Sequence, residues 1–137
     1  MKNPFTLSII VFCFSFSITK AQVTAPEIQW QNTIGGSSDD YLRSVIQTTD
    51  GGYLLGGYSY SGISGDKTEA SQGSDYWVVK LDDSGENQWQ NTIGGSSDDR
   101  LYSVIRTTDG GYLLGGYSRS GISEDKAEAS QGYADYW

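Results

Sequence analysis

Residues 40–59, DYLRSVIQTTDGGYLLGGYS, are the stretch that decides the fold, because two runs rich in β-branched and aromatic residues flank the turn sequence TDGG. Asp-Gly between two such runs is among the strongest hairpin signals, since glycine accepts the positive φ that tight hairpin turns require. The stretch therefore predicts two antiparallel strands, residues 42–48 and 53–59, joined by a tight turn.

A second hairpin is predicted further along the chain. Residues 76–81 (YWVVKL) and 88–93 (QWQNTI) flank the turn sequence DDSG. The polar segment 60–74 separates the two hairpins, and we expect it to be either a functional insertion or a mobile loop. Outside the N-terminal region no stretch keeps a 3.6-residue apolar period, so we predict an all-β chain.

The two hairpins belong to a unit that the chain repeats. Residues 30–73 recur at 89–132, and the sequence DYW at 75–77 returns at 135–137. Six pairs of positions differ between the long copies: Tyr41/Arg100, Arg43/Tyr102, Gln47/Arg106, Tyr60/Arg119, Gly65/Glu124 and Thr68/Ala127.

Four short antiparallel strands repeated end to end are typical of β-propeller blades, in which each sheet covers its apolar face with the next. We predict about two such units, residues 28–88 and a truncated 89–137, in an incomplete propeller, because a closed one needs at least about four blades. A single stacked sheet or a β-solenoid is the alternative. The strand phase also predicts that residues 27–34 form the counterpart of a fourth strand.

Residues 1–21 have the pattern of a signal peptide. Lys2 precedes an apolar run that is shorter than the ~20 residues of a membrane-spanning helix, and Thr19 and Ala21 are the small residues before the expected cleavage site. We therefore predict an exported protein, extracellular or on the outer cell surface, with the periplasm as an alternative. The mature chain is expected to have no transmembrane span.

Composition excludes several classes of function. The chain has 9 Lys and Arg against 17 Asp and Glu, a net charge of −8, which argues against a nucleic-acid partner. It has no His, and Cys13 lies in the leader. Ser-His and Cys-His catalysis, zinc sites and disulfides are therefore not expected in the mature chain. A paired-carboxylate site would recur in both copies, so we predict a protein that is not an enzyme.

Two glycine-rich acidic loops, GGSSDD at residues 35–40 and 94–99, are the candidate metal sites. Adjacent carboxylates and exposed carbonyls suit Ca²⁺, which takes oxygen ligands. Asp and Ser are also ordinary turn formers, so a turn without metal is the alternative. No cofactor other than calcium is expected. The candidate ligands are Asp39, Asp40, Asp98 and Asp99.

Tyrosines and arginines exchange places between the two copies. Positions 41, 43 and 47 are separated by even numbers, so on a regular strand their side chains share one face. Tyr and Arg dominate many interfaces, and we predict a rim that binds a protein or glycan ligand. Its candidate residues are Tyr41, Arg43, Tyr60, Arg100, Tyr102 and Arg119. Self-association is a further expectation if the chain is complete.

The tryptophans hold fixed positions in each unit. We expect Trp30, Trp77, Trp89 and Trp137 in the core between units, with sugar stacking as the alternative.

A family resemblance follows from the motif DYWVVKLDDSGENQWQNTIGG, with TTDGGYLLGGYS in each unit. It resembles the blades of secreted β-propeller repeat proteins of Gram-negative gliding bacteria, commonly cargo of the type IX secretion system. The chain departs from that family in having two units and no C-terminal sorting domain. The resemblance implies a surface or secreted binding or adhesion module. A calcium-dependent carbohydrate-active enzyme fragment and a structural surface-layer component are the alternatives.

Overall fold

The computed structural model describes residues 25–137, so the predicted leader lies outside the described residues. The described part forms seven strands and contains no helix long and apolar enough to cross a membrane. The strands are β1 (Asp40–Gln47), β2 (Tyr53–Ser59), β3 (Asp75–Leu81), β4 (Asn87–Ile93), β5 (Asp99–Arg106), β6 (Tyr112–Ser118) and β7 (Asp135–Tyr136).

These strands form two antiparallel sheets, one of four strands in the order β1-β2-β3-β4 and one of three in the order β5-β6-β7. The all-β prediction is confirmed, both predicted hairpins are present, and the arrangement is consistent with incomplete propeller-like units. The first sheet ends with β4, so the predicted unit boundary after residue 88 falls inside a strand.

The β1–β2 turn shows why this sequence forms a hairpin. Gly51 has a φ of 88°, a backbone conformation that is energetically unfavourable for residues with a Cβ atom. The Asp50 carboxylate accepts hydrogen bonds from the Thr48 hydroxyl and the Gly52 amide, which fixes the turn. Asp82 accepts comparable bonds in the turn between β3 and β4. Local side-chain acceptors therefore hold both turns of the first sheet.

The two sheets pack face to face, with β5 lying across β1, β2 and β3. A Cβ atom at Gly56 would lie 2.4 Å from Val104 Cγ2 and 2.8 Å from Leu101 Cδ2, so these side chains pack directly on the glycine backbone. The Val104 amide also donates to the Ser44 hydroxyl across the interface, at 3.1 Å. The buried residues of this intersheet core are Leu54, Tyr76, Val78, Leu101 and Val104.

The opposite face of the first sheet carries a smaller core of Trp77, Val79 and Leu81, against which Ile34 packs. Residues 27–34 are not a strand, so that prediction is wrong. The sequence of residues 29–34 recurs at 88–93, where it forms most of β4 and pairs with β3. The earlier copy packs on the face of the first sheet through Ile34 and pairs neither with β3 nor with the open edge of β7.

The tryptophans divide into two pairs. Trp77 is buried, and the Trp137 ring lies 5.0 Å from that of Tyr76. Trp30 and Trp89 are exposed, so the expectation of a core position is wrong for them. Trp89 lies on β4, an edge strand, where the ring has no neighbouring strand beyond it.

The segment 60–74 is anchored to β4. Lys67, in the middle of this segment, is buried. Its ammonium group donates a hydrogen bond to the Thr92 hydroxyl and lies 5.1 Å from the centre of the Trp77 ring. Burial lowers the pKa of Lys67. The Thr92 amide donates to the Glu69 carboxylate at 2.6 Å. These contacts make the segment part of the sheet packing and do not fit a mobile loop.

The packing on Gly56 leads to a prediction about stability. Gly56→Ala is expected to lower the free energy of unfolding by about 1–3 kcal/mol, because the new methyl group would overlap Val104 and Leu101. Urea denaturation followed by tryptophan fluorescence measures the change.

Gly115→Ala is the matched control, since Gly115 is the counterpart of Gly56 in the second sheet and a Cβ there meets nothing within 4 Å. It is expected to be neutral or slightly stabilising. Equal effects of the two substitutions would contradict the observed sheet packing.

Candidate functional site

Tyrosine and arginine side chains from both sheets and the loops after them meet beside the intersheet core. We call this set the Tyr–Arg cluster. Its members are Tyr41, Arg43, Tyr58, Tyr60, Arg100, Tyr102, Tyr117 and Arg119. It includes all six residues that the sequence suggested as ligand-binding candidates. Tyr58 and Tyr117 were missed because they are identical in the two copies, while the sequence argument used the positions that differ.

A β-bulge in each first strand shapes the cluster. The β1–β2 register shifts between Leu42 and Ser44, which leaves Arg43 as the extra residue, and β5 has the same shift at Tyr102. An extra residue bends the strand and redirects the side chains near it. The bulges thus present Arg43 and Tyr102, one from each sheet, to the same cluster.

The bulge also corrects the sequence argument about one shared face. Tyr41 pairs with Tyr58, whose ring contacts the second sheet. Gln47 pairs with Tyr53, which packs on the opposite face of the first sheet. The prediction that Gln47 shares a face with Tyr41 is therefore wrong, because even spacing places residues together only on a strand without a bulge.

Tyr58 is the centre of the cluster and is buried. Its ring stacks on Tyr41 with centroids 5.0 Å apart and meets Tyr60 edge-on at 6.1 Å. It also meets Tyr102 edge-on at 6.4 Å, across the interface between the sheets. These are the separations at which aromatic pairs attract each other, so one buried ring holds three more exposed ones in place.

Two guanidinium groups flank the Tyr58 ring, Arg43 at 5.2 Å and Arg100 at 5.1 Å from its centre. Arg43 also donates to the Tyr58 hydroxyl at 2.7 Å, and this bond raises the pKa of Arg43. Arg43 lies 5.7 Å from the centre of the Tyr102 ring. These distances are within the range of cation–π attraction, which holds the guanidinium groups beside the rings.

The arginines differ in their anionic partners. Asp98 forms ion pairs of 3.3 Å with both Arg100 and Arg119. Within residues 25–137 Arg43 has no carboxylate partner and donates only to the Tyr58 hydroxyl. A guanidinium has five N–H donors in a planar fork. Arg43 therefore keeps donors available on an exposed side chain.

Positive charge on the described surface comes from arginine. Lys67, Lys80 and Lys126 are all buried. The described part has four arginines, of which Arg106 alone lies outside the cluster, at the end of β5. Three of the four described arginines therefore lie in the Tyr–Arg cluster, two of them paired with Asp98.

The two acidic loops use their carboxylates internally. Asp40 accepts hydrogen bonds from the Gly36 amide at 2.7 Å and from two serine hydroxyls, and Asp99 accepts from the Gly95 amide at 2.7 Å. Asp39 accepts a long bond from the Tyr41 hydroxyl, and its charge raises the pKa of Tyr41. Such bonds are those of the turn alternative.

The calcium hypothesis stays a prediction. The described residues contain no group of three His, Cys, Asp or Glu side chains that could hold a metal ion. Asp39 and Asp98 belong to the border of the Tyr–Arg cluster, whereas Asp40 and Asp99 bind their own loops.

Two buried acids lie at the junction between the sheets. Asp75 begins β3, Asp99 begins β5, and each has one carboxylate oxygen with no hydrogen-bond partner within the described residues. Burial raises the pKa of Asp75 to about 7, and the charge of Asp99 adds to the effect, against an opposing hydrogen bond from the Gln72 amide. Asp75 thus holds its proton in the folded protein at mildly acidic pH.

No protein-family model, curated protein or solved structure matches the chain. What the Tyr–Arg cluster can do follows from its own groups, which are exposed aromatic rings, guanidinium donors and phenol hydroxyls. Groups of these kinds are able to bind and orient a ligand, because rings offer flat apolar contact and guanidinium groups offer paired donors.

The raised pKa of Asp75 predicts how stability changes with pH. The folded pKa of about 7 exceeds the ordinary value of 3.8, so the folded state binds the extra proton between these two values. The contribution of Asp75 to the free energy of unfolding is therefore expected to fall as pH rises from about 4 to about 7 and to level off above that. Asp75→Asn should remove this contribution, measured by urea denaturation across the pH range.

Asp135→Asn is the control, because Asp135 is the half-buried counterpart of Asp75 in the second unit. It is expected to leave the pH dependence close to that of the parent chain. An unchanged pH dependence in Asp75→Asn would show that Asp75 does not carry a raised pKa.

Proposed function

We propose that the chain is an exported, non-enzymatic repeat protein of the β-propeller type that binds a ligand through the Tyr–Arg cluster. The observation that carries this proposal is the convergence of exposed Tyr41, Tyr102 and Arg43 on the buried ring of Tyr58. A surface that exposes several aromatic rings together departs from the ordinary scatter of single apolar side chains. It is a surface suited to contact with a ligand.

The fold supports the propeller part of the proposal. Two antiparallel sheets stack so that one face of the first covers one face of the second, which is how successive blades bury their apolar surface. Export rests on the leader pattern of residues 1–21 and on the resemblance to secreted repeat proteins of gliding bacteria. A surface or secreted location follows from these two sequence features.

The ligand that fits best is a carbohydrate carrying carboxylate groups. Sugar rings have apolar faces that pack on exposed tyrosines such as Tyr41 and Tyr102. A carboxylate can accept two parallel hydrogen bonds from a guanidinium, and among the arginines of the Tyr–Arg cluster Arg43 is the one without a carboxylate partner in the described part. Together these groups would recognise an acidic sugar better than a neutral one.

The non-enzymatic part of the proposal rests on composition. The mature sequence has neither His nor Cys to serve as a general base or nucleophile. Asp98, one of the two acids at the border of the cluster, is paired with two arginines. The same carboxylate oxygen, Oδ2, is therefore already engaged by two guanidinium groups.

Titration calorimetry with alginate oligosaccharides, which carry a carboxylate on each sugar, tests the proposal against neutral dextran oligosaccharides. The full chain is expected to bind alginate and to bind dextran more weakly. Arg43→Gln should weaken alginate binding by about tenfold or more, because it removes the charged donors. Tyr102→Ala should weaken binding to both sugars, because it removes a ring.

Arg106→Gln is the matched control, since it removes the same charge from an exposed arginine outside the cluster. It is expected to bind alginate like the parent chain. The proposed ligand class would be rejected if neither sugar bound, or if Arg106→Gln and Arg43→Gln weakened alginate binding equally.

A further inference from the structure

The interface between the two sheets shows which positions of the repeat unit pack against each other when two units stack. Leu101 and Val104 of β5 pack on Gly56 and Leu54 of β2, and all four are enclosed. Each of these positions exists in both copies of the repeat. The molecule therefore carries a second set of both surfaces, on the outer faces of the sheets.

The first open surface lies on the outer face of the first sheet. Leu42 and Val45 are the counterparts of Leu101 and Val104. Leu42 is 59% exposed, whereas Leu101 is 0% exposed. We call Leu42 and Val45 the leucine face.

The second open surface lies on the outer face of the second sheet. Leu113 and Gly115 are the counterparts of Leu54 and Gly56. Leu113 is 58% exposed where Leu54 is 0% exposed, and a Cβ at Gly115 would meet nothing within 4 Å. We call Leu113 and Gly115 the glycine face.

We infer that a second copy of this chain docks head to tail, with the leucine face of one copy on the glycine face of the next. The interface would repeat the packing already present between the sheets, with the same residue types at every corresponding position named above. A contact between two different faces is heterologous, so it continues from copy to copy and gives a ring if the rotation closes or an open filament if it does not.

The segment before β1 is compatible with this docking. Ile34 packs on Trp77, Val79 and Leu81, yet the leucine face stays exposed beside it. Ile93, the counterpart of Ile34, likewise packs against the core of the internal interface, in which Leu101 and Val104 are buried. Ile34 thus packs beside the open leucine face as Ile93 packs beside the enclosed Leu101 and Val104.

Sedimentation velocity on the full chain and two face variants tests the inference. The parent chain is expected to show a mass above the monomer that rises with concentration. Val45→Asp on the leucine face and Leu113→Asp on the glycine face should each raise the concentration for half-association by about tenfold or more, since a carboxylate would be buried without a partner. Leu42→Asp replaces Val45→Asp if circular dichroism shows that the latter is unfolded.

Mixing the two variants separates head-to-tail docking from other modes of association. Each variant keeps one intact face, so an equimolar mixture should form a one-to-one dimer and nothing larger. Thr49→Asp, an exposed residue of the β1–β2 turn, is the control and should associate like the parent chain. Every chain carries the same residues 1–24, so association through that segment would not respond to the variants.

Three results would overturn the inference. The first is a parent chain that stays monomeric over the whole concentration range. The second is association that neither face variant weakens. The third is a mixture of the two variants that contains no dimer.

Discussion

The close approach of the two sheets at Gly56 is the constraint on which the rest of the structure depends. Without a side chain there, Leu101 and Val104 reach the backbone of β2 and enclose Leu54 and Tyr76. Apolar burial of this kind is the main favourable term in folding, and close packing makes it sensitive to single methyl groups. The same approach places β5 across β1 and β2, and so brings the tyrosines and arginines of the two sheets together.

Burial of the lysines decides which cations lie at the surface of the described structure. The lysines lie inside, where Lys80 pairs with Asp50 at 2.9 Å and Lys67 binds Thr92. Buried charges require such partners, because removal from water is costly. The arginines are left as the cations that a ligand can reach, and three of the four lie against tyrosine rings in the Tyr–Arg cluster.

Sequence reasoning predicted the parts of the molecule that depend on local signals. The Asp-Gly turn and the alternation around it located the strands of the first hairpin to within one or two residues. Sequence reasoning was wrong for features that depend on pairing and packing between distant parts of the chain. Residues 27–34 read as a strand, yet they pair neither with β3, whose edge β4 occupies, nor with the open edge of β7. The bulge at Arg43 places Gln47 on the opposite face of β1 from Tyr41. Tyr58 and Tyr117 are identical in the two copies, so a comparison of the differing positions does not point to them.

Methyl-labelled nuclear Overhauser spectroscopy of Leu101 and Val104 tests the central claim most directly. Gly56 lies against both side chains, so the packing predicts strong cross-peaks between the Val104 methyl protons and the Gly56 α-protons. It also predicts cross-peaks between the Tyr58 and Tyr102 rings, whose centroids are 6.4 Å apart. Cross-peaks confined to strands within each sheet, with none between the sheets, would contradict the account and with it the origin of the Tyr–Arg cluster.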